Sequence, residues 1–83
     1  MPVLKYPLAT EKAISMIDRN NIITYIVDFR ATKTEIKKEF ESMFAVKVER
    51  INSVNTTTNL KKVYIKMAKG FKATDVASKM KLV

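Results

Sequence analysis

Residues 61–67, Lys-Lys-Val-Tyr-Ile-Lys-Met, alternate without fault between apolar and polar side chains. A period of two sends successive side chains to opposite faces of a strand, so Val63, Ile65 and Met67 point to a core and Lys62, Tyr64 and Lys66 point away from it. One dry face and one cationic face mark a half-buried strand of an antiparallel sheet. Asn21–Phe29 reads differently. Ile23, Tyr25, Val27 and Phe29 share one face, while Ile22 and Ile26 stand beside Thr24 and Asp28 on the other. Apolar residues on both faces predict a central strand covered on two sides.

The remaining segments fall into place around these two. Val3–Lys5 reads as a short edge strand stopped by Pro7. Thr10 offers an N-cap for a helix through about Ile17, with Ala13, Ile14 and Ile17 on one face and Asp18-Arg19-Asn20-Asn21 as the breaker. Thr32 and Glu35 form a Thr-x-x-Glu capping box for a second helix, to about Phe44. Ile36, Phe40, Met43 and Phe44 recur in it at helical spacing; on its outer surface Lys37 pairs with Glu41 and Lys33 stands one turn from Lys37. Val46 and Val48 begin a strand reaching Val54, but Ile51 and Val54 break its phase, which predicts a bulge near Arg50. Asn52 to Asn59 reads as a polar hairpin connection. After Gly70, a short helix carries Ala73, Val76, Ala77 and Met80. Met43, Met67 and Met80 are expected on core faces as packing filler. The order strand, helix, strand, helix, strand, strand, helix predicts an α+β fold: a four-stranded, mostly antiparallel sheet packed with helices, as one domain over residues 1–83.

Composition narrows the chemistry. With no His and no Cys among 83 residues, the commonest general base, thiol nucleophiles, disulfides and Cys/His zinc sites are excluded. A single glycine, Gly70, is too few for a P-loop or a dinucleotide fingerprint, and no cofactor is expected. Glu35, Glu39, Glu41 and Glu49 scatter over a helix surface and a strand among Lys and Arg neighbours, which does not make a catalytic acid–base pair. Asn20–Val27, the longest uncharged apolar-rich stretch, is too short to cross a bilayer, and Met1–Leu8 lacks the apolar region of a signal peptide, so a cytoplasmic protein without a membrane anchor is expected.

The net charge is +8, and it is uneven. Residues 1–50 hold nine bases and seven acids, whereas residues 51–83 hold seven bases and one acid. Local excess of this kind attracts polyanions, nucleic acid before acidic membrane. The outward row Lys62, Tyr64 and Lys66, extended by Lys61, Lys69 and Lys72, places cations around a ring. Cations suit phosphates, and a ring suits a base or sugar. The blander reading is a charged outer strand that deters aggregation, but it does not account for the charge asymmetry. The hydroxyls and amides of residues 52–59 can serve phosphate oxygens and 2′-hydroxyls as well as their own turn. Asn55-Thr56-Thr57 matches a glycosylation acceptor formally, without a route to a secretory compartment. Lys69-Gly70-Phe71 opens like the RNA-recognition-motif signature, but Lys72, Ala73 and Thr74 break it.

Five segments in register are similar to the universal large-subunit ribosomal protein L-twenty-three family. They are residues 6–13 (Tyr-Pro-Leu-Ala-Thr-Glu-Lys-Ala), 31–37 (Ala-Thr-Lys-Thr-Glu-Ile-Lys), 44–48 (Phe-Ala-Val-Lys-Val), Asn52-Ser53, and 61–67. The resemblance implies a structural constituent of the large subunit, not an enzyme, that binds large-subunit rRNA near the polypeptide exit tunnel beside neighbouring ribosomal proteins. It implies rRNA contacts at Thr10, Lys12, Lys33, Lys37, Asn52, Ser53, Asn55, Thr56, Thr57, Lys61, Lys62, Tyr64 and Lys66, to which charge adds Lys69 and Lys72. It also implies a docking platform for nascent-chain factors such as the signal recognition particle, with Glu11 as the docking candidate. The connection of about eight residues between the last two strands is shorter than in the family's bacterial type and resembles the archaeal and eukaryotic kind. Folded back, it reaches only about 13 Å, so no role inside the tunnel is expected. Two other classes remain in view: a ligand-sensing or dimeric interaction module of similar build, which would show an uncharged sheet edge, and a small acylphosphatase-sized hydrolase, which would need an Arg aimed at a glycine-rich anion loop.

Overall fold

The computed structural model describes residues 4–55 and 60–79. In chain order they form β1 (Leu4–Pro7), α1 (Glu11–Asn20), β2 (Ile22–Asp28), α2 (Lys33–Phe44), β3 (Val48–Asn55), β4 (Leu60–Met67) and α3 (Ala73–Lys79). The sheet order is β1-β2-β4-β3 and every pair is antiparallel. β2 and β4 therefore lie inside, and β1 and β3 are the edges. Each edge strand carries an irregularity in register, between Leu4 and Tyr6 in β1 and between Val48 and Arg50 in β3. The second is the bulge expected from the broken phase near Arg50.

One face of the sheet is dry. Ile23, Tyr25, Val27, Val63, Ile65 and Met67 form a single buried cluster with Ile36 and Phe40 of α2 and with Val76 and Ala77 of α3. Phe40 meets the Tyr25 ring edge-on, centroids 6.3 Å apart, and Phe44 at 4.8 Å. Burial pushes the Tyr25 phenol above its ordinary range, and the Glu39 carboxylate adds to the shift. On the other face of β2, Thr24 and Ile26 are buried as well, as expected of a strand covered on two sides.

The helix starts follow their capping chemistry. Thr10 Oγ1 accepts the Ala13 N–H at 3.2 Å. At α2, Thr32 Oγ1 accepts the Glu35 N–H at 3.2 Å while the Glu35 carboxylate accepts the Thr32 N–H at 3.1 Å, a complete capping box. α1 runs on to Asn20, beyond the expected stop at Ile17, because Asn21 ends it in the left-handed conformation (φ 59°) with its N–H on the Met16 carbonyl. The Asn21 side chain then does a second task. Its Nδ2 donates to the Phe71 carbonyl at 2.9 Å and its Oδ1 accepts the Ala73 N–H at 2.6 Å, so one residue closes α1 and caps α3. Gly70 takes a positive φ of 94° in the link from β4 to α3, where a side chain would be strained.

Four expectations need correction. Phe29 leaves the core face and is 43% exposed. β2 ends at Asp28, whose carbonyl and carboxylate accept the Ala31 and Arg30 N–H groups, and that turn swings Phe29 outward beneath the Arg30 guanidinium. Met43 is 52% exposed, since α2 meets the sheet through Ile36 and Phe40. Glu41 turns to β3, where its Oε2 accepts the Val48 N–H at 2.8 Å, instead of pairing with Lys37. Residues 52–55 are strand, not connection: β3 reaches Asn55 and β4 begins at Leu60. Val3, Thr56, Thr57 and Met80 lie outside the described residues.

Candidate nucleic-acid interface

Antiparallel pairing arranges the outward side chains in rungs across the sheet. Tyr6, Ile26, Lys62 and Val54 stand in one rung; Thr24, Tyr64 and Asn52 in the next; Ile22, Lys66 and Arg50 in the third. The bulge in β3 brings Arg50 to this face, since it shifts the strand's parity between Val48 and Arg50. Four strands thus present three cations, two phenol rings and an amide on one surface.

Lys62 Nζ lies 5.6 Å from the centre of the Tyr64 ring. Such a contact is worth about 0.5–1 kcal/mol at an exposed site, little enough to be exchanged for a phosphate and a stacked base. Lys66 Nζ is 3.6 Å from the Glu49 carboxylate with both side chains open to water, a pair too weakly held to withhold the ammonium from a polyanion. From α1, Thr10, Lys12 and Met16 border a shallow depression with Thr24, Lys62 and Tyr64. Its volume, about 30 Å³, suits a water molecule and not a substrate. Thr24 Oγ1, at its wall, is buried without a hydrogen-bond partner.

The structure therefore gathers Thr10, Lys12, Asn52, Lys62, Tyr64 and Lys66 on one face. Lys69 and Lys72 are exposed in the link beyond the end of β4, and Glu11 is exposed in the first turn of α1 beside Lys12. Other expected residues stand elsewhere. Lys33 and Lys37 are exposed on α2, which covers the opposite face of the sheet. Lys61 has the inward parity of Val63, and its Nζ donates to the Ala31 carbonyl at 3.1 Å, ahead of α2. Ser53 is exposed opposite Val63, on that same side, and Asn55 pairs with Lys61 through the backbone. Sequence reasoning missed Arg50 and Tyr6. For Arg50 the signal was present, because the bulge inferred beside it implies the change of face.

Among the described residues no group of His, Cys, Asp and Glu is placed to hold a metal ion, and no helix is long and apolar enough to cross a membrane.

Residues 2–77 match the family model described as Ribosomal protein L23. Over 81 residues the chain is 44% identical to the "Large ribosomal subunit protein uL23" of Trypanosoma brucei brucei, an alignment covering 98% of this chain and 49% of that protein. Over 78 residues it is 42% identical to the protein of the same name from Methanothermobacter thermautotrophicus, covering 94% of this chain and 91% of that one. The chain thus spans about half the length of the trypanosomal relative and nearly all of the other.

Proposed function

The chain belongs to the ribosomal protein L23 family, and from that premise we propose that it is a structural, non-catalytic constituent of the large ribosomal subunit in the cytoplasm that clamps folded rRNA near the exit tunnel. The observation that carries this reading is the surface of Lys62, Tyr64, Lys66 and Arg50 beside Lys12. Phosphates take the ammonium and guanidinium groups, while the Tyr64 ring and the Asn52 amide meet sugars or unpaired bases. Lys69 and Lys72 extend the positive field past the end of β4. Lys33 and Lys37, on the far side, suit a second rRNA segment, so that RNA grips the domain from two directions.

Neighbouring large-subunit proteins complete the surroundings. Glu11, exposed on the first turn of α1, is the docking candidate for a nascent-chain factor such as the signal recognition particle. Its charge contrasts with the basic surface around it.

Two measurements test the clamp. Gradient sedimentation of lysate should place the protein with the large subunit and release it after ribonuclease treatment. If roughly six to eight cations each displace a counterion, affinity for large-subunit rRNA fragments should fall with a log–log salt slope of about −4 to −7. A slope shallower than about −2 overturns the clamp, since it leaves room for only two or three phosphates.

A further inference from the structure

Leu4 is buried in the core and pairs with Val27, an inward residue of β2, yet Tyr6 pairs with Ile26, an outward one. In a regular strand residues 4 and 6 share a face. The irregularity between them changes the parity and turns Tyr6 onto the cationic surface, where it is 48% exposed. Re-aiming a side chain is a recurring use of a bulge. The bulge sets Tyr6 next to Ile26, its buried cross-strand partner, yet leaves Tyr6 nearly half exposed. The same surface already carries Tyr64, two strands away and one rung along.

We propose that Tyr6 is a second base-stacking ring of this surface, and that Tyr6 and Tyr64 each receive one unpaired RNA base, with Lys62 on the phosphate between them. The inference rests on the rRNA-binding reading and adds to it a class of RNA target: a loop or bulge with at least two splayed bases, not a continuous duplex. The spacing argues for separate bases. Two interstrand steps and two residues along the strand put the Cα atoms of the two tyrosines about 12 Å apart, too far to sandwich a single base. Lys62 shares the rung of Tyr6 and reaches over the ring of Tyr64, so its ammonium lies where the backbone joining two such bases would run. Stacking on each ring adds affinity with little sequence preference, while the cations track the backbone.

The test compares the purified chain with Tyr6→Ala, Tyr6→Leu, Tyr6→Phe and Tyr6→Trp, using an unstructured oligouridine and a fully paired RNA duplex of equal length across a salt series. Tyr6→Ala and Tyr6→Leu should weaken oligouridine binding roughly tenfold with the salt slope unchanged, because a base contact and not a phosphate contact is lost. Duplex binding should stay as in the parent chain, and Tyr6→Phe and Tyr6→Trp should retain affinity for both. Full affinity in Tyr6→Leu, or an equal loss for duplex and oligouridine, overturns the stacking role while salt-dependent binding through the lysines still stands. Absence of binding to either RNA by the parent chain overturns the rRNA reading and this inference with it. Urea midpoints of the four variants check that the half-exposed site leaves the fold intact.

Discussion

On one side of β4, Val63, Ile65 and Met67 are 0%, 0% and 2% exposed against α2 and α3. On the other, Lys62, Tyr64 and Lys66 are half-buried beside α1 and the edge strand β3. The two sets share one backbone and alternate along it, so strand formation alone lays out the proposed RNA-binding residues on one surface once the core face is packed. The contrast assigns separate currencies to the two sides. Inward residues set how firmly the domain holds, and in the proposed reading outward ones set what it holds.

Substitutions can break that division. Phe40→Ala removes a fully buried ring that contacts both Tyr25 and Phe44 and should lower stability by about 3–5 kcal/mol. That is a large share of the ~5–15 kcal/mol total of a typical small domain, and urea denaturation should show the unfolding midpoint moved to much lower denaturant. Changing Lys62 and Lys66 together to Glu should abolish incorporation into the subunit, followed by sedimentation, while lowering stability by only about 1–2 kcal/mol through the lost Lys62–Tyr64 contact and repulsion from Glu49. Loss of the fold in that double variant would show that the two faces are not separable. Asn21→Gly keeps the left-handed backbone that glycine accepts but deletes the two side-chain bonds to Phe71 and Ala73. A cost of about 1–3 kcal/mol is expected, read as faster amide exchange in α3 with β4 little affected.

Much of this architecture was legible because local signals and global pattern agreed. The capping box at Thr32, the alternation of residues 61–67 and the phase break near Arg50 each survive in place. Where they failed, a longer-range interaction had overruled a local preference. Asn52 to Asn55 look like turn residues, but pairing with Lys61–Tyr64 holds them in β3. The run 18–21 looks like a breaker, but Asn21 alone does the breaking, at the end of a longer α1. Lys61 looks like part of the cationic row, yet its parity sends it inward and the Ala31 carbonyl receives it. Tyr6 was hidden for a different reason: one irregular residue in a four-residue strand leaves no periodicity from which its side can be read.

Both open margins of the sheet are also its two irregular strands, and this bears on the free protein. A regular margin offers unpaired amides and carbonyls in step, to which a second copy can add and begin a fibril. Here a newcomer aligned on either side would fall out of step at the kink, beside Lys5 on one margin and Glu49 and Arg50 on the other. Newly synthesised molecules awaiting assembly are thereby poor seeds for one another.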